Sequence, residues 1–225
     1  NNQKAAGWPA IGVNIGNSIV STTVSDGYNI YFGCYDKKVY AVSLSNGSIS
    51  WVSPQLNGTL ISTPAIGMTE LYIGSTDGKL YALNLADGTY LRDFNTAGSV
   101  EGSPWVDVDG KLYIGSSSGK FFKLSASNFA QNWVYPATTT VGPIISSPWV
   151  ERPKNAVYFG SNDGKLYAIN ITTGLPLTGF TPYTTGGAVR SSPLAWGNVV
   201  YFGSDDGKIY AVNALTGALL AGWPY

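Results

Sequence analysis

One hairpin pattern recurs five times along the chain and constrains its fold more than any other feature. Its clearest copy, residues 157–170, consists of two short apolar runs joined by Asn-Asp-Gly-Lys. An Asp-Gly pair between alternating apolar residues is a strong signal for a β-hairpin, because glycine adopts the positive φ of a tight turn without steric cost. The other copies occupy residues 30–43, 71–84, 112–125 and 200–213.

The spacing of these hairpins predicts the architecture. The glycine that ends the first apolar run recurs at intervals of 41, 41, 45 and 43 residues. A repeat of this length built from short strands is typical of propeller blades. We therefore predict an all-β chain with a single domain over residues 1–225, a β-propeller of five four-stranded antiparallel blades. The blades are expected at approximately residues 11–53, 54–96, 97–137, 138–182 and 183–225.

The two ends of the chain resemble each other. Ala-Gly-Trp-Pro occurs at residues 6–9 and again at residues 221–224, both times at the position of a fourth strand. We therefore predict that residues 1–10 form an extra tail that resembles a fourth strand. Two arrangements stay open, a closed ring of five blades and a section of a larger propeller.

Each repeat divides into four strand candidates. The first is expected to end in a Ser/Thr-Pro element and to line the central channel, where a sheet edge tolerates proline. The fourth is expected to end on an aromatic residue that packs between neighbouring blades. The third repeat departs from the pattern, because it lacks the Asp-Gly turn and carries Phe129 where a turn glycine is expected. The terminal aromatic residues are Trp51, Phe94, Trp133, Phe180 and Trp223.

Charge and histidine content exclude several functions. Thirteen basic residues balance thirteen acidic ones, and charged residues make up only 12% of the chain. With no basic stripe, we predict no nucleic-acid partner. The chain has no histidine, which rules out a Ser-His-Asp triad and removes the commonest general base.

Cysteine content and hydropathy bear on the cellular location. Cys34 is the only cysteine, so an intrachain disulfide and a cysteine-based zinc site are both impossible. No apolar run approaches the roughly 18 residues of a membrane span, so no membrane insertion is expected. The chain begins at Asn1 without an initiator methionine, which we interpret as a processed or trimmed product. Low charge and abundant Ser, Thr, Asn, Gly and Tyr favour an exported protein, located in the periplasm, at the cell surface or outside the cell.

The repeat consensus, Val/Leu-Tyr-x-Gly-Ser-x-Asp-Gly-Lys-x-Tyr-Ala followed by a fourth strand with Trp or Phe, resembles the pyrroloquinoline-quinone repeat family of β-propellers. Residues 41–51 also resemble the tryptophan-docking motif of that family. The resemblance implies one of two kinds of protein. Quinone-dependent dehydrogenases are longer and carry a vicinal cysteine pair and a carboxylate-bound metal. Scaffolds include outer-membrane assembly lipoproteins and cell-surface repeat proteins. One cysteine and three glutamates agree with the second kind, so no cofactor is expected.

Two groups of acidic residues are candidates for a local role. The Asp-Gly turns are interpreted as structural, because aspartate favours such turns by accepting hydrogen bonds from nearby backbone N–H groups. Asp107 and Asp109 resemble part of a calcium loop, but they lack the downstream glutamate, and Asp109-Gly110 is also an ordinary turn signal. The turn residues concerned are Asp77, Gly78, Asp163, Gly164, Asp206 and Gly207.

Aromatic residues supply the candidate for a ligand or partner surface. Trp105, Trp149 and Trp196 follow the Ser-Pro elements, and with Tyr183 they are candidate contacts for a sugar or a protein. Packing between blades is the favoured alternative for them, since buried aromatic residues are common in such folds. Cys34 is expected to be a small buried residue rather than a nucleophile.

The sequence therefore predicts a non-catalytic β-propeller, a scaffold or interaction module of an exported protein. It would bind a protein partner or belong to a larger parent chain. One alternative is a carbohydrate-binding propeller with a shallow site on each blade. A less favoured alternative is a fragment of a quinone-dependent dehydrogenase.

Overall fold

The computed structural model describes residues 13–225, which form short antiparallel strands in five sheets, each following the chain order. We call these sheets blades one to five. Blade one contains β1 (Val24–Ser25), β2 (Asn29–Gly33), β3 (Val39–Ser43) and β4 (Ile49–Val52). Blade two contains β5 (Ala65–Ile66), β6 (Glu70–Gly74), β7 (Lys79–Asn84) and β8 (Tyr90–Asn95). Blade three contains β9 (Trp105–Val106), β10 (Lys111–Gly115), β11 (Phe121–Ser125) and β12 (Gln131–Tyr135).

The last two blades are less regular than the first three. Blade four contains β13 (Trp149–Glu151), the short 3-10 helix η1 (Arg152–Lys154), β14 (Ala156–Gly160), β15 (Lys165–Asn170) and β16 (Tyr183–Thr184). Blade five contains β17 (Leu194–Trp196), β18 (Val199–Gly203) and β19 (Ile209–Asn213). The predicted all-β propeller architecture is confirmed. The tail predicted at residues 1–10 lies outside the described residues.

In blade five, a few backbone hydrogen bonds form where the other blades have a fourth strand. Tyr225 and Ile209 exchange two of them, at 2.6 and 3.0 Å, and the Leu220 N–H donates to the Ala211 oxygen at 3.0 Å. Pro224 has no N–H to donate, so the pairing stays too sparse for a regular strand.

The prediction that the first strand ends in the Ser/Thr-Pro element was wrong, because the strand begins just after it. In blade two, the Ser62 hydroxyl accepts a hydrogen bond from the Gly74 N–H at 2.8 Å and donates one to the Gly74 oxygen at 3.1 Å. One side chain thus replaces a pair of backbone hydrogen bonds, and regular pairing starts at Ala65, once Pro64 is passed. Ser21, Ser146 and Ser191 make the same pair of contacts in their blades, with Gly33, Gly160 and Gly203.

The fourth strand of blade four also differs from the prediction that it ends on Phe180. It is instead β16, which pairs Tyr183 with Leu166. Phe180 precedes the strand and packs against Tyr158, with ring centroids 6.0 Å apart. Pro176 has no N–H to donate, and the Phe180 N–H donates to the Leu177 oxygen at 3.0 Å instead of to β15, so regular pairing occurs only at Tyr183 and Thr184.

The core lies between the blades, where each sheet packs on the next. Between blades one and two, Tyr31 and Trp51 of blade one pack in one cluster with Leu71 and Ile73 of blade two. Burying each such aliphatic side chain contributes roughly 1.5–3 kcal/mol. The glycine ending each second strand permits this approach: a Cβ on Gly74 would lie only 2.4 Å from Val100. Within the described part of the chain, no helix is long and apolar enough to cross a membrane.

Candidate functional site

The turns joining the first and second strands of each blade lie together at one end of the propeller, and their tips expose large apolar side chains. We call this end the tip face and the four exposed side chains the tip residues. These four residues are between 78% exposed, for Trp196, and 97% exposed, for Met68. The tip residues are Tyr28, Met68, Val108 and Trp196, from blades one, two, three and five.

A hydrogen-bond network around Asp26 builds the first tip. Asp26 Oδ1 accepts hydrogen bonds from the N–H groups of Tyr28 and Asn29, both at 2.8 Å, and its Oδ2 accepts one from the Tyr31 hydroxyl at 2.7 Å. Burial raises the pKa of Asp26, but these hydrogen bonds outweigh it and hold that pKa below its ordinary value. These hydrogen bonds therefore fix the conformation of the turn, and the ring of Tyr28 is exposed to solvent.

Asp107 and Asp109, the two calcium-ligand candidates from the sequence, lie in the third tip. Asp107 Oδ1 accepts hydrogen bonds from the N–H groups of Asp109 and Lys111, at 3.0 and 2.8 Å. Asp109 forms an ion pair with Arg152, across to blade four. In residues 13–225, no three His, Cys, Asp or Glu side chains converge as a metal site would require.

Blade four replaces the apolar tip with a charged one. Its turn is the 3-10 helix η1, followed by Asn155 in the left-handed region at φ 52°. Arg152 reaches toward Asp109 of blade three instead of standing free. In blade five the turn shortens to Gly197 and Asn198, and Trp196 stands beside it.

Two clefts separate the first three tips. The cleft between blades one and two has a volume of about 770 Å³, and Tyr28, Met68 and Leu91 line it. The cleft between blades two and three has a volume of about 490 Å³, and Met68 and Val108 line it. Met68 therefore stands on the ridge between the two clefts.

The charged group shared by both clefts is already paired. Glu70 forms an ion pair with Arg92 and accepts a hydrogen bond from the Tyr72 hydroxyl at 3.0 Å. Burial, and then the Glu70 carboxylate, raise the pKa of Tyr72 above its ordinary value. Glu70 is thus already paired with Arg92 and Tyr72, so the cleft surface available to a partner is mainly that of apolar side chains.

The other aromatic residues proposed from the sequence lie elsewhere. Trp105 and Trp149 are on the innermost strands of blades three and four, with ring centroids 5.6 Å apart. The Trp149 Nε1–H donates to Glu151 at 3.4 Å. Tyr183 packs between blades four and five, with its ring centroid 5.5 Å from that of Tyr210. Of the four proposed aromatic residues, only Trp196 is a tip residue.

The Asp-Gly turns lie at the opposite end of the blades from the tip face. Asp77 Oδ1 accepts a hydrogen bond from the Lys79 N–H at 3.1 Å, and its Oδ2 accepts one from the Tyr81 hydroxyl at 2.5 Å. Asp163 and Asp206 accept the equivalent pairs of hydrogen bonds in blades four and five. The turn glycines Gly78, Gly164 and Gly207 have φ between 80° and 88°.

The residues do not fit the quinone and metal of the dehydrogenases. Cys34 is buried and its thiol donates to the Ser18 oxygen at 3.3 Å, with no second cysteine in the chain to pair with it. Burial raises the pKa of this thiol, which disfavours the reactive thiolate.

Sequence reasoning missed Tyr28, Met68 and Val108. Their signal was present, since a large apolar residue between two strands stands where a polar turn residue is usual. It was masked because apolar residues are frequent throughout the chain, and only the structure separates exposed turn positions from buried strand positions.

The fold and this surface define a class, the β-propellers of pyrroloquinoline-quinone-like repeats, here with apolar turns exposed at one end. The chain belongs to the outer membrane protein assembly factor BamB family, whose model matches residues 36–177 and 96–223. A comparison with curated proteins found no match.

Two solved structures share the fold. BamB from Moraxella catarrhalis is 20% identical, and the match covers 95% of this chain and 66% of that one with a TM-score of 0.81. The computationally designed Ika8 protein is 15% identical, and the match covers 92% of this chain and 61% of that one with a TM-score of 0.76. The chain thus spans 66% of the first structure's chain and 61% of the second, less than two thirds of each.

Proposed function

We propose that this chain is a non-catalytic scaffold in the assembly of outer-membrane proteins, exported to the periplasm, and that it binds a protein partner through the tip face. The observation that carries the proposal is the set of four large apolar side chains exposed on or beside the turns at one end of the propeller. Single exposed apolar residues are common, but several on one end of a fold mark an interaction surface.

The chemistry of the tip residues suits a protein partner. Tyrosine, tryptophan and methionine are enriched at protein interfaces, where aromatic anchors contribute much of the binding energy. Met68 is unbranched and can adapt to a partner's surface. Membership of a family named for outer membrane protein assembly supports the choice of that process.

The test is complementation in a Gram-negative strain that lacks its own BamB. The chain would be exported to the periplasm of that strain, and the level of folded outer-membrane proteins would be measured. We expect the chain to raise that level and Met68→Ser with Val108→Ser to remove the gain. Both side chains are already exposed, so the melting temperature should change little.

A matched pair of tyrosines in blade one provides the control. Tyr28 lies at the tip face, whereas Tyr35 lies in the turn at the opposite end and is 44% exposed. Tyr28→Ser should reduce complementation and Tyr35→Ser should leave it intact. Equal activity of both variants would contradict the role of the tip face, and failure of the unsubstituted chain to complement would contradict the assembly function.

Carbohydrate binding is the second candidate, and the exposed ring of Trp196 is the observation that favours it. Exposed aromatic faces are suited to stacking on sugars as well as on proteins. Titration with a panel of glycans tests this candidate. Binding that is lost in Trp196→Ser and retained in Met68→Ser would favour a sugar ligand over a protein partner.

A further inference from the structure

The four contacts between successive blades share one arrangement of a socket and a plug. The socket is the glycine that ends the second strand of one blade. The plug is an aliphatic residue of the next blade, two positions before the Ser or Gly that precedes its Ser/Thr-Pro pair. All four plugs are fully buried. The socket and plug pairs are Gly33 with Leu60, Gly74 with Val100, Gly115 with Ile144, and Gly160 with Val189.

Each socket is closely covered by its plug. A Cβ built on Gly33, Gly74, Gly115 or Gly160 would lie 2.2–2.6 Å from a side-chain atom of the plug. Real Cβ atoms do not approach other atoms so closely, so only glycine fits these positions without displacing the next blade.

The fifth socket has no such plug. A Cβ on Gly203 would meet nothing nearer than the Ser191 side chain of its own blade, at 3.6 Å. The side chain of Ile209, on the neighbouring strand, is 55% exposed. Its counterparts in the other blades, Val39, Leu80, Phe121 and Leu166, are fully buried. We call the surface formed by Tyr201, Gly203 and Ile209 the forward face of blade five.

Hydrogen bonds near the axis stop at the same place. The Thr63 N–H donates to Ser103 Oγ, and the Ser103 N–H donates to Ser147 Oγ, both at 2.9 Å. The Ser147 N–H then donates to Ser192 Oγ at 3.1 Å. Within residues 13–225 the Ser192 N–H has no equivalent acceptor on a following blade.

Blade one shows the complementary half of the arrangement. Ile19 stands at the plug position and is 43% exposed. Its segment is placed as in the other blades, because the Tyr35 N–H donates to the Ser18 oxygen at 3.0 Å, as Thr76 does to Thr59 at 3.1 Å. No hydrogen bond between the described residues joins blade five to blade one.

We propose that the forward face of blade five docks a further blade of the same repeat, which seats a Leu, Ile or Val plug over Gly203 and offers a hydroxyl to the Ser192 N–H. Continuity with the four internal contacts defines the occupant's chemistry. The chain superposes on 66% of the Moraxella BamB chain, so its curvature follows that of a longer propeller. The remaining third of such a propeller accommodates further blades but not a second five-blade copy of this chain.

An extended chain tests the proposal. A copy of residues 54–96, which carries the plug Leu60, is fused after Tyr225, and melting temperature and amide exchange are measured. We expect the melting temperature to rise by about 4 °C and the amides of β18 and β19 to exchange about tenfold more slowly. Leu60→Asp in the appended copy, a matched control that keeps its length, should abolish both effects.

Glycine substitutions locate the effect at the socket. In the unextended chain, Gly203→Ala should leave the melting temperature unchanged, whereas Gly160→Ala should lower it. A Cβ at position 160 meets the next blade, and a Cβ at position 203 does not. In the extended chain, Gly203→Ala should remove the gain.

Three results would overturn the proposal. The first is an appended blade that neither stabilises nor protects blade five. The second is a Gly203→Ala cost in the unextended chain as large as that of Gly160→Ala. The third is dimerisation of the unextended chain that Gly203→Ala abolishes, since this would make a second copy the occupant.

Discussion

At the scale of single residues, a turn aspartate and a tyrosine four positions later act as a pair. Asp77 accepts a hydrogen bond from the Tyr81 hydroxyl, and blades one, four and five repeat this contact. Blade three has Ser118 and Phe122 at these positions, so the acceptor and the donor are missing together. Their joint loss has a physical reason, because a half-buried hydroxyl without its acceptor destabilises the fold.

We predict measurable coupling between the two members of this pair. Asp77→Ala and Tyr81→Phe should each lower the free energy of unfolding by about 1 kcal/mol. The double variant should lose less than the sum, since either substitution already breaks the same hydrogen bond. Urea denaturation of the four proteins measures this, and strictly additive losses would contradict the pairing.

A second prediction at this scale concerns alkaline pH. Burial, together with the hydrogen bond to Asp26, raises the pKa of Tyr31 from 10.0 to about 12. The folded state holds this proton more tightly than the unfolded state, so the stabilisation is complete below pH 10 and is lost as pH rises through 12. The free energy of unfolding should therefore fall less steeply over that range in Tyr31→Phe. An unchanged slope would contradict the assigned shift.

At the scale of elements, the fourth strand of one blade docks on the last turn of the next. The Trp51 Nε1–H donates to the Leu85 oxygen at 3.1 Å, and its ring lies against Gly88. Between blades two and three, Arg92 takes the place of the tryptophan and Phe129 that of the glycine, with the guanidinium 4.8 Å from the ring centroid. Phe129 adopts the positive φ of the glycine it replaces, 57°.

This exchange predicts that the two positions depend on each other. Arg92→Trp alone should destabilise the protein by about 2 kcal/mol, because the indole would overlap the Phe129 ring. Arg92→Trp with Phe129→Gly would rebuild the contact between Trp51 and Gly88 and should recover part of that loss. Chemical denaturation of the single and double variants measures the coupling. A double variant less stable than Arg92→Trp would contradict this interpretation.

Some elements could be predicted from the sequence and others could not. The hairpins and the propeller could be predicted because one local pattern, with a turn of known chemistry, recurs at a regular interval. The start of the first strand could not, since it depends on Ser62 binding the backbone of Gly74, a contact between segments 12 residues apart. Composition alone does not distinguish the tip residues from core residues. Met68 and Val108 are exposed because they lie in turns at one end of their blades, and that position is visible only in the structure.

At the scale of the whole molecule, each blade contacts its neighbours in a repeated way and the two ends of the propeller differ. The turns at the Asp-Gly end are internally hydrogen-bonded, as at Asp77 and Asp163. The tip face presents Tyr28, Met68 and Trp196 to solvent. Under the proposed function, the protein partner binds at the tip face, and the stacked blades hold the tips in fixed positions.

Photo-crosslinking in intact cells tests the central claim most directly. A photoreactive residue would replace Tyr28 at the tip face or Tyr35 at the opposite end, in the chain exported to the periplasm of a Gram-negative host. We predict a crosslink from position 28 to a protein of the outer-membrane assembly machinery and none from position 35. Crosslinking to that machinery from position 35 but not from position 28 would contradict the account.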